Sequence, residues 1–135
     1  MNLYAPKTFW KASPNEIKKH CNGCGAKGGI KVPNTMYGLN VKICCEIHDW
    51  MFAKGKTYAD FLFANAVFIM NLTIVISNNN LFLAPFRFSR ATKYFLAVQT
   101  LGESNYWKNK RKNKVLNITF KGEFKDAKDF NTNSN

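Results

Sequence analysis

The sequence predicts an all-α fold, on three observations. Apolar residues recur at spacings of three and four through several long segments. Serine, threonine, proline and glycine stand where helices begin and end, and strand-like alternation is confined to a stretch near residue 120. The 135 residues are 46% hydrophobic and 15% aromatic, enough for a real core, so one domain over 1–125 with a polar tail over 126–135 is expected. The formal charge of +12 favours polyanionic partners, nucleic acid or an anionic membrane surface, without choosing between them.

Ser13, Pro14 and Glu16 form a capping-box signature for a short first helix. "NGCGAKGG" (22–29) ends it, because four glycines in eight residues hold neither helix nor strand. From Leu39 to Lys54 the pattern turns helical, carried by Ile43, Ile47, Trp50 and Met51, with Gly55 as its stop. A second long helix starts at Thr57 as cap, places Asp60 in the first turn where a carboxylate suits the dipole, and runs to Ser77. Its window 61–76, interrupted by Asn65, Asn71 and Thr73, falls short of the roughly 20 apolar residues of a membrane span and reads as the central core helix. After Pro85 a third helix is expected over Ser89–Leu101, ended by Gly102. "KNKRKNK" (108–114) reads as a solvated charge run, and 115–124 as a short strand or C-terminal β-hairpin turning at Gly122. The tail is polar and expected to fray. Residues 1–14 lack the apolar stretch of a secretory signal.

The chemistry concentrates in "CCEIHDWMF" (44–52). Cys44 and Cys45 precede His48 by four and three residues, so they share a side of one helix with it. His48 and Asp49 point about 100° apart and can border one cavity without bonding each other. A neutral imidazole can take a proton from water, and a carboxylate can ligate a hard cation. A glycine-rich loop lets backbone carbonyls turn inward, as Ca²⁺ requires. The four cysteines permit three pairings or one metal site. A Cys24–Cys45 bridge would fasten the loop against the helix.

These motifs resemble the secreted phospholipase A2 superfamily. The likeness rests on "GCGAKGG" (23–29), "VP" (32–33), "CCEIHDWMF" (44–52) and "ADFLFANAVF" (59–68). The wider run 32–60 and "RATKYFLAVQTLGESNYW" (90–107) resemble phage- and prophage-encoded phospholipase-like proteins, a likeness that leaves open whether the protein is secreted, injected or part of a virion. The resemblance implies long antiparallel helices beside a calcium loop, and sn-2 ester hydrolysis at a phospholipid surface. It gives His48 as general base, Asp60 as the aspartate orienting the imidazole, and Asp49 as the calcium carboxylate. Backbone carbonyls at Gly23, Gly25 and Gly28 would complete the Ca²⁺ site. The chain departs from the pattern in places. The loop has an extra residue, so Lys27 could displace Gly28. The stretch between Pro33 and Cys44 is long, and the family's tyrosine is Phe52. Cys44 has no later cysteine to bridge to, leaving Cys21–Cys44 as a substitute pairing. Phe9, Trp10 and Trp50 with nearby lysines are expected to form an interfacial surface on anionic lipid.

Two alternatives stand beside this reading. One keeps the fold and drops the activity, leaving a binding or structural module. The other is a zinc-stabilised nucleic-acid-binding protein that uses Cys21, Cys24, Cys44 and Cys45 as thiolates and its positive charge for phosphates.

Overall fold

The computed structural model describes residues 1–26, 31–120 and 124–126. Five helices carry the fold: α1 (Lys7–Lys11), α2 (Pro14–His20), α3 (Lys42–Lys54), α4 (Tyr58–Ser77) and α5 (Ala84–Trp107). Four short strands accompany them: β1 (Tyr4–Pro6), β2 (Thr35–Met36), β3 (Leu39–Asn40) and β4 (Phe124–Asp126). They make two separate antiparallel ladders, β1 with β4 and β2 with β3. The architecture is mostly helical, as the apolar periodicity required.

Helix α4 packs against both α3 and α5. It buries Phe61, Val67, Leu72, Val75 and Ile76 in a core that also takes Trp50, Tyr106, Met36 and Leu3. The expected capping box at Ser13 forms, and the expected Thr57 cap proves to be part of a second one. The Ser13 hydroxyl accepts from the Glu16 amide while the Glu16 carboxylate accepts from Ser13, and Thr57 and Asp60 repeat the exchange at the start of α4. Each satisfies backbone N–H groups that a helix start leaves unpaired.

Several expectations differ from the structure: α3 begins at Lys42 rather than Leu39, and α5 at Ala84 rather than Ser89. Helix α5 runs well past Gly102, on to Trp107, since a glycine inside a helix costs only about 1 kcal/mol. Near the C-terminus the described strand, β4, pairs with the amino-terminal strand, Tyr4 opposite Asp126, while the expected turn at Gly122 lies outside the described residues. The tail, expected to fray, lies outside the described residues from 127 on. Phe9 and Trp50 are core residues in edge-to-face contact, with ring centroids 6.1 Å apart, so they cannot form a lipid-facing surface.

The polar interruptions of α4 serve packing. Asn71 is buried, and its amide accepts from Tyr4 N–H and donates to Tyr4 C=O, both at 2.8 Å. It pairs β1 as a neighbouring strand would, which accounts for an asparagine inside an apolar helix.

Candidate functional site

His48 and Asp49 sit in the middle of α3, a helix whose buried side is lined by Cys44, Cys45, Ile47, Met51 and Phe52. The disulfide joins Cys24 to Cys45, across 21 positions of sequence, and so fastens the glycine-rich loop to α3 one turn before His48. Gly23 and Gly25 bend that loop with φ of +81° and +106°, a region open to glycine. A Cβ on Gly23 would lie 2.7 Å from the Asn34 side-chain oxygen. That oxygen accepts from Cys24 N–H at 2.8 Å, so Asn34 holds the loop where no side chain would fit. The Asp49 carboxylate accepts from Asn22 N–H at 3.0 Å, which ties the first loop residue to α3. Gly28 and Lys27, the remaining loop positions assigned from sequence, lie outside the described residues.

The imidazole of His48 is buried between two rings, Phe52 at 4.0 Å and Phe68 at 4.8 Å between centroids. Its Nε2 is 2.8 Å from Oδ1 of Asn65 on α4. The Asn65 amide in turn donates to Oε1 of Gln99 on α5 at 2.9 Å. With Nδ2 of Asn65 directed at Gln99, Oδ1 faces the ring, and the ring must donate through Nε2–H. Nδ1 then carries the lone pair. Burial pushes His48 down to about 4, with the Asn65 bond acting in the opposite direction, so the ring is neutral at neutral pH.

Asp60 does not orient this ring. It lies five residues before Asn65 on α4, about 7.5 Å along the axis. Its carboxylate accepts from Lys56 N–H at 2.8 Å, Thr57 N–H at 3.2 Å, Thr119 N–H at 2.7 Å and the Thr119 hydroxyl at 2.6 Å. Burial pushes Asp60 up, but the bonds from Thr119, Lys56 and Thr57 outweigh it and hold the carboxyl below its ordinary range. The first-turn reading of Asp60 describes it, and the α4 residue bonded to the ring is Asn65.

Cys21 and Cys44 are not bridged to each other; both are buried thiols. Cys21 Sγ donates to the Glu46 carbonyl at 3.2 Å. Desolvation pushes each thiol up to about 12, so neither is a ready thiolate. With Cys24 and Cys45 oxidised, a four-thiolate zinc site loses two of its ligands.

The described residues hold no cluster of three or more His, Cys, Asp or Glu side chains suited to a metal. A cation beside Asp49 would therefore draw most of its ligands from backbone carbonyls. Asp49 and a glycine loop held against α3 by the disulfide and by Asn34 are the groups beside which such a cation would sit.

Asn65, Gln99 and Asn34 escaped the sequence reading. Asn65 was visible only as a polar break in an apolar helix. Gln99 and Asn34 carried no signal, since their roles exist only once α5 and the loop are in place. No protein-family model matches the chain, and no curated protein or solved structure matches it significantly.

Proposed function

We propose that the chain is a calcium-dependent hydrolase of glycerophospholipids, of phospholipase A2-like fold, in which His48 activates the attacking water. The observation that carries this reading is the hydrogen-bonded chain from His48 through Asn65 to Gln99. It leaves a neutral imidazole with one nitrogen fixed and the other able to accept a proton. Nδ1 takes a proton from water as the water oxygen attacks the sn-2 ester carbon. The imidazolium then returns that proton to the departing glycerol oxygen as the C–O bond breaks. Asn65 holds the ring in register through both transfers. As a neutral amide it supplies less stabilisation to the imidazolium than a carboxylate would, which makes His48 a weaker base. Asp49 and the carbonyls of Gly23 and Gly25 would hold Ca²⁺, which supplies polarisation of the ester carbonyl and charge for the developing oxyanion.

Fatty-acid release from phospholipid vesicles tests the proposal. Release should require calcium, stop in EGTA, and fall about 10³-fold or more in His48→Ala. Calcium-independent release, or release unchanged by His48→Ala, would overturn it.

A second reading keeps the calcium loop and drops the chemistry. It draws on the tight aromatic sandwich around His48 and on the neutral partner at Asn65. Calcium-dependent vesicle binding without any fatty-acid release would favour this binding module.

A further inference from the structure

Exposed apolar side chains are ordinary when scattered singly, and informative when several share one rigid end of a molecule. The connection between α4 and α5 is such an end. Phe82 is 82% exposed, Leu81 68% and Phe86 55%. Tyr37, from the turn between β2 and β3, lies beside them with its ring 5.8 Å from that of Phe86.

This end is held in shape. The Asn80 side chain caps the short 3₁₀ turn Leu81–Leu83 by accepting from Phe82 N–H at 2.9 Å. Pro85 then fixes the first turn of α5. Tyr37 and Gly38 both take positive φ, +47° and +79°, as a two-residue hairpin turn of type I′ requires. Arg87 is buried and donates to three carbonyls: Met36 at 3.2 Å, Tyr37 at 2.9 Å and Asn80 at 3.3 Å. One guanidinium thus locks the hairpin tip to the α4–α5 turn. The aromatic groups are presented on a fixed frame, so little ordering entropy would oppose their insertion into a partner.

The charge around this tip has one sign. No Asp or Glu occurs between Phe61 and Gly102, nor between Lys31 and Lys42, whereas Arg87, Arg90 and Lys93 all fall in the first of these stretches. Arg90 stacks on the Tyr37 ring, 4.8 Å from its centroid. Exposed apolar and aromatic groups with Arg90 stacked beside them and Lys93 one turn further along α5 suit an anionic bilayer, where rings enter the headgroup boundary and cations meet phosphates. A second copy of the chain fits poorly, because self-association through this face would bring like charges together with no carboxylate to pair them.

We propose that the α4–α5 turn and Tyr37 form a membrane-docking tip that inserts Leu81, Phe82 and Phe86 into an anionic bilayer, with Arg90 and Lys93 at the phosphates. The tip lies beyond the carboxyl end of α4, about 18 Å along the axis from Asn65 to Ser77. It is separate from the His48 site, and binding through it does not depend on hydrolysis.

Vesicle flotation in EGTA tests this tip with the full chain, so that hydrolysis plays no part. Binding should be strong to phosphatidylcholine vesicles containing phosphatidylglycerol and weak to phosphatidylcholine alone. The double variant Leu81→Ser/Phe82→Ser should lose about tenfold or more of its partitioning. Arg90→Gln/Lys93→Gln should weaken binding to the anionic vesicles alone. Phe82→Trp should shift its emission to the blue on binding and be quenched by lipids brominated in their acyl chains. Wild-type binding by the double serine variant, or an unquenched Trp at position 82, would overturn the proposal. So would a dimer in sedimentation that the serine variant dissociates, which would make this face a self-interface.

Discussion

Asp60 and Asn65 lie five residues apart on α4 and invite opposite guesses. The carboxylate looks like catalytic equipment and the amide like a blemish in an apolar helix. The structure reverses the roles. Asp60 closes a knot of backbone at the helix start, binding Lys56, Thr57 and Thr119. Asn65 faces the imidazole and passes the contact on to Gln99. Residue chemistry says what a group can do; the residue that packing sets opposite it decides what it does.

If Asp60 is structural, removing it should damage stability more than any change in the His48 chain. Asp60→Ala strips the acceptor from four donors in a buried setting, and about 4 kcal/mol should be lost in urea unfolding. A loss well under 1 kcal/mol would break the comparison at its structural end.

The loop side of the site depends on its covalent tie. Reducing Cys24–Cys45, or replacing both with serine, should lower stability by about 3 kcal/mol, given a loop closed across 21 positions. Calcium binding measured by calorimetry should weaken in parallel.

The buried imidazole adds a pH signature. His48 is held down to about 4, against an ordinary value of 6.5. Above 6.5 it is neutral in both folded and unfolded chains, and stability does not respond to it. As pH falls from 6.5 towards 4, the unfolded chain takes up a proton that the buried ring refuses, so folded stability declines, by up to about 3 kcal/mol. Below about 4 this contribution levels off. Unfolding curves across that window should show the decline, and His48→Gln should flatten it.

Asn65→Ala leaves the ring N–H without its acceptor in a buried site and should cost about 2 kcal/mol. Gln99→Leu, one link further out and only half-buried, should cost about 1 kcal/mol or less. If Gln99→Leu proved the more damaging of the two, the order of the chain from His48 outward would be wrong.

Much of the fold was legible because it follows from local rules. The capping residues Ser13, Glu16, Thr57 and Asp60 act on neighbours three positions away, so their spacing alone announced them. The helical period gave α4 nearly to the residue and the end of α3, although α3 starts three residues later than the pattern suggested, after the strand Leu39–Asn40. Gly102 looked like a stop although a single glycine inside a long helix is tolerated, and α5 continues to Trp107. The 115–124 segment read as a strand or hairpin, whereas the observed strand is Phe124–Asp126, whose partner β1 lies at the far end of the chain and leaves no local sign. In the site, His48, Asp49 and Cys24–Cys45 could be named from motif and spacing. The residue that bonds His48 could not, since it depends on the register of α3 against α4.

The state of the His48 ring decides between the two neighbours most directly. Long-range ¹H–¹⁵N correlation spectra at neutral pH in EGTA would report which nitrogen carries the proton. We expect the Nε2–H tautomer, unchanged in Asp60→Asn and perturbed in Asn65→Ala. A proton on Nδ1, or ring signals that move with Asp60→Asn and ignore Asn65→Ala, would contradict the account.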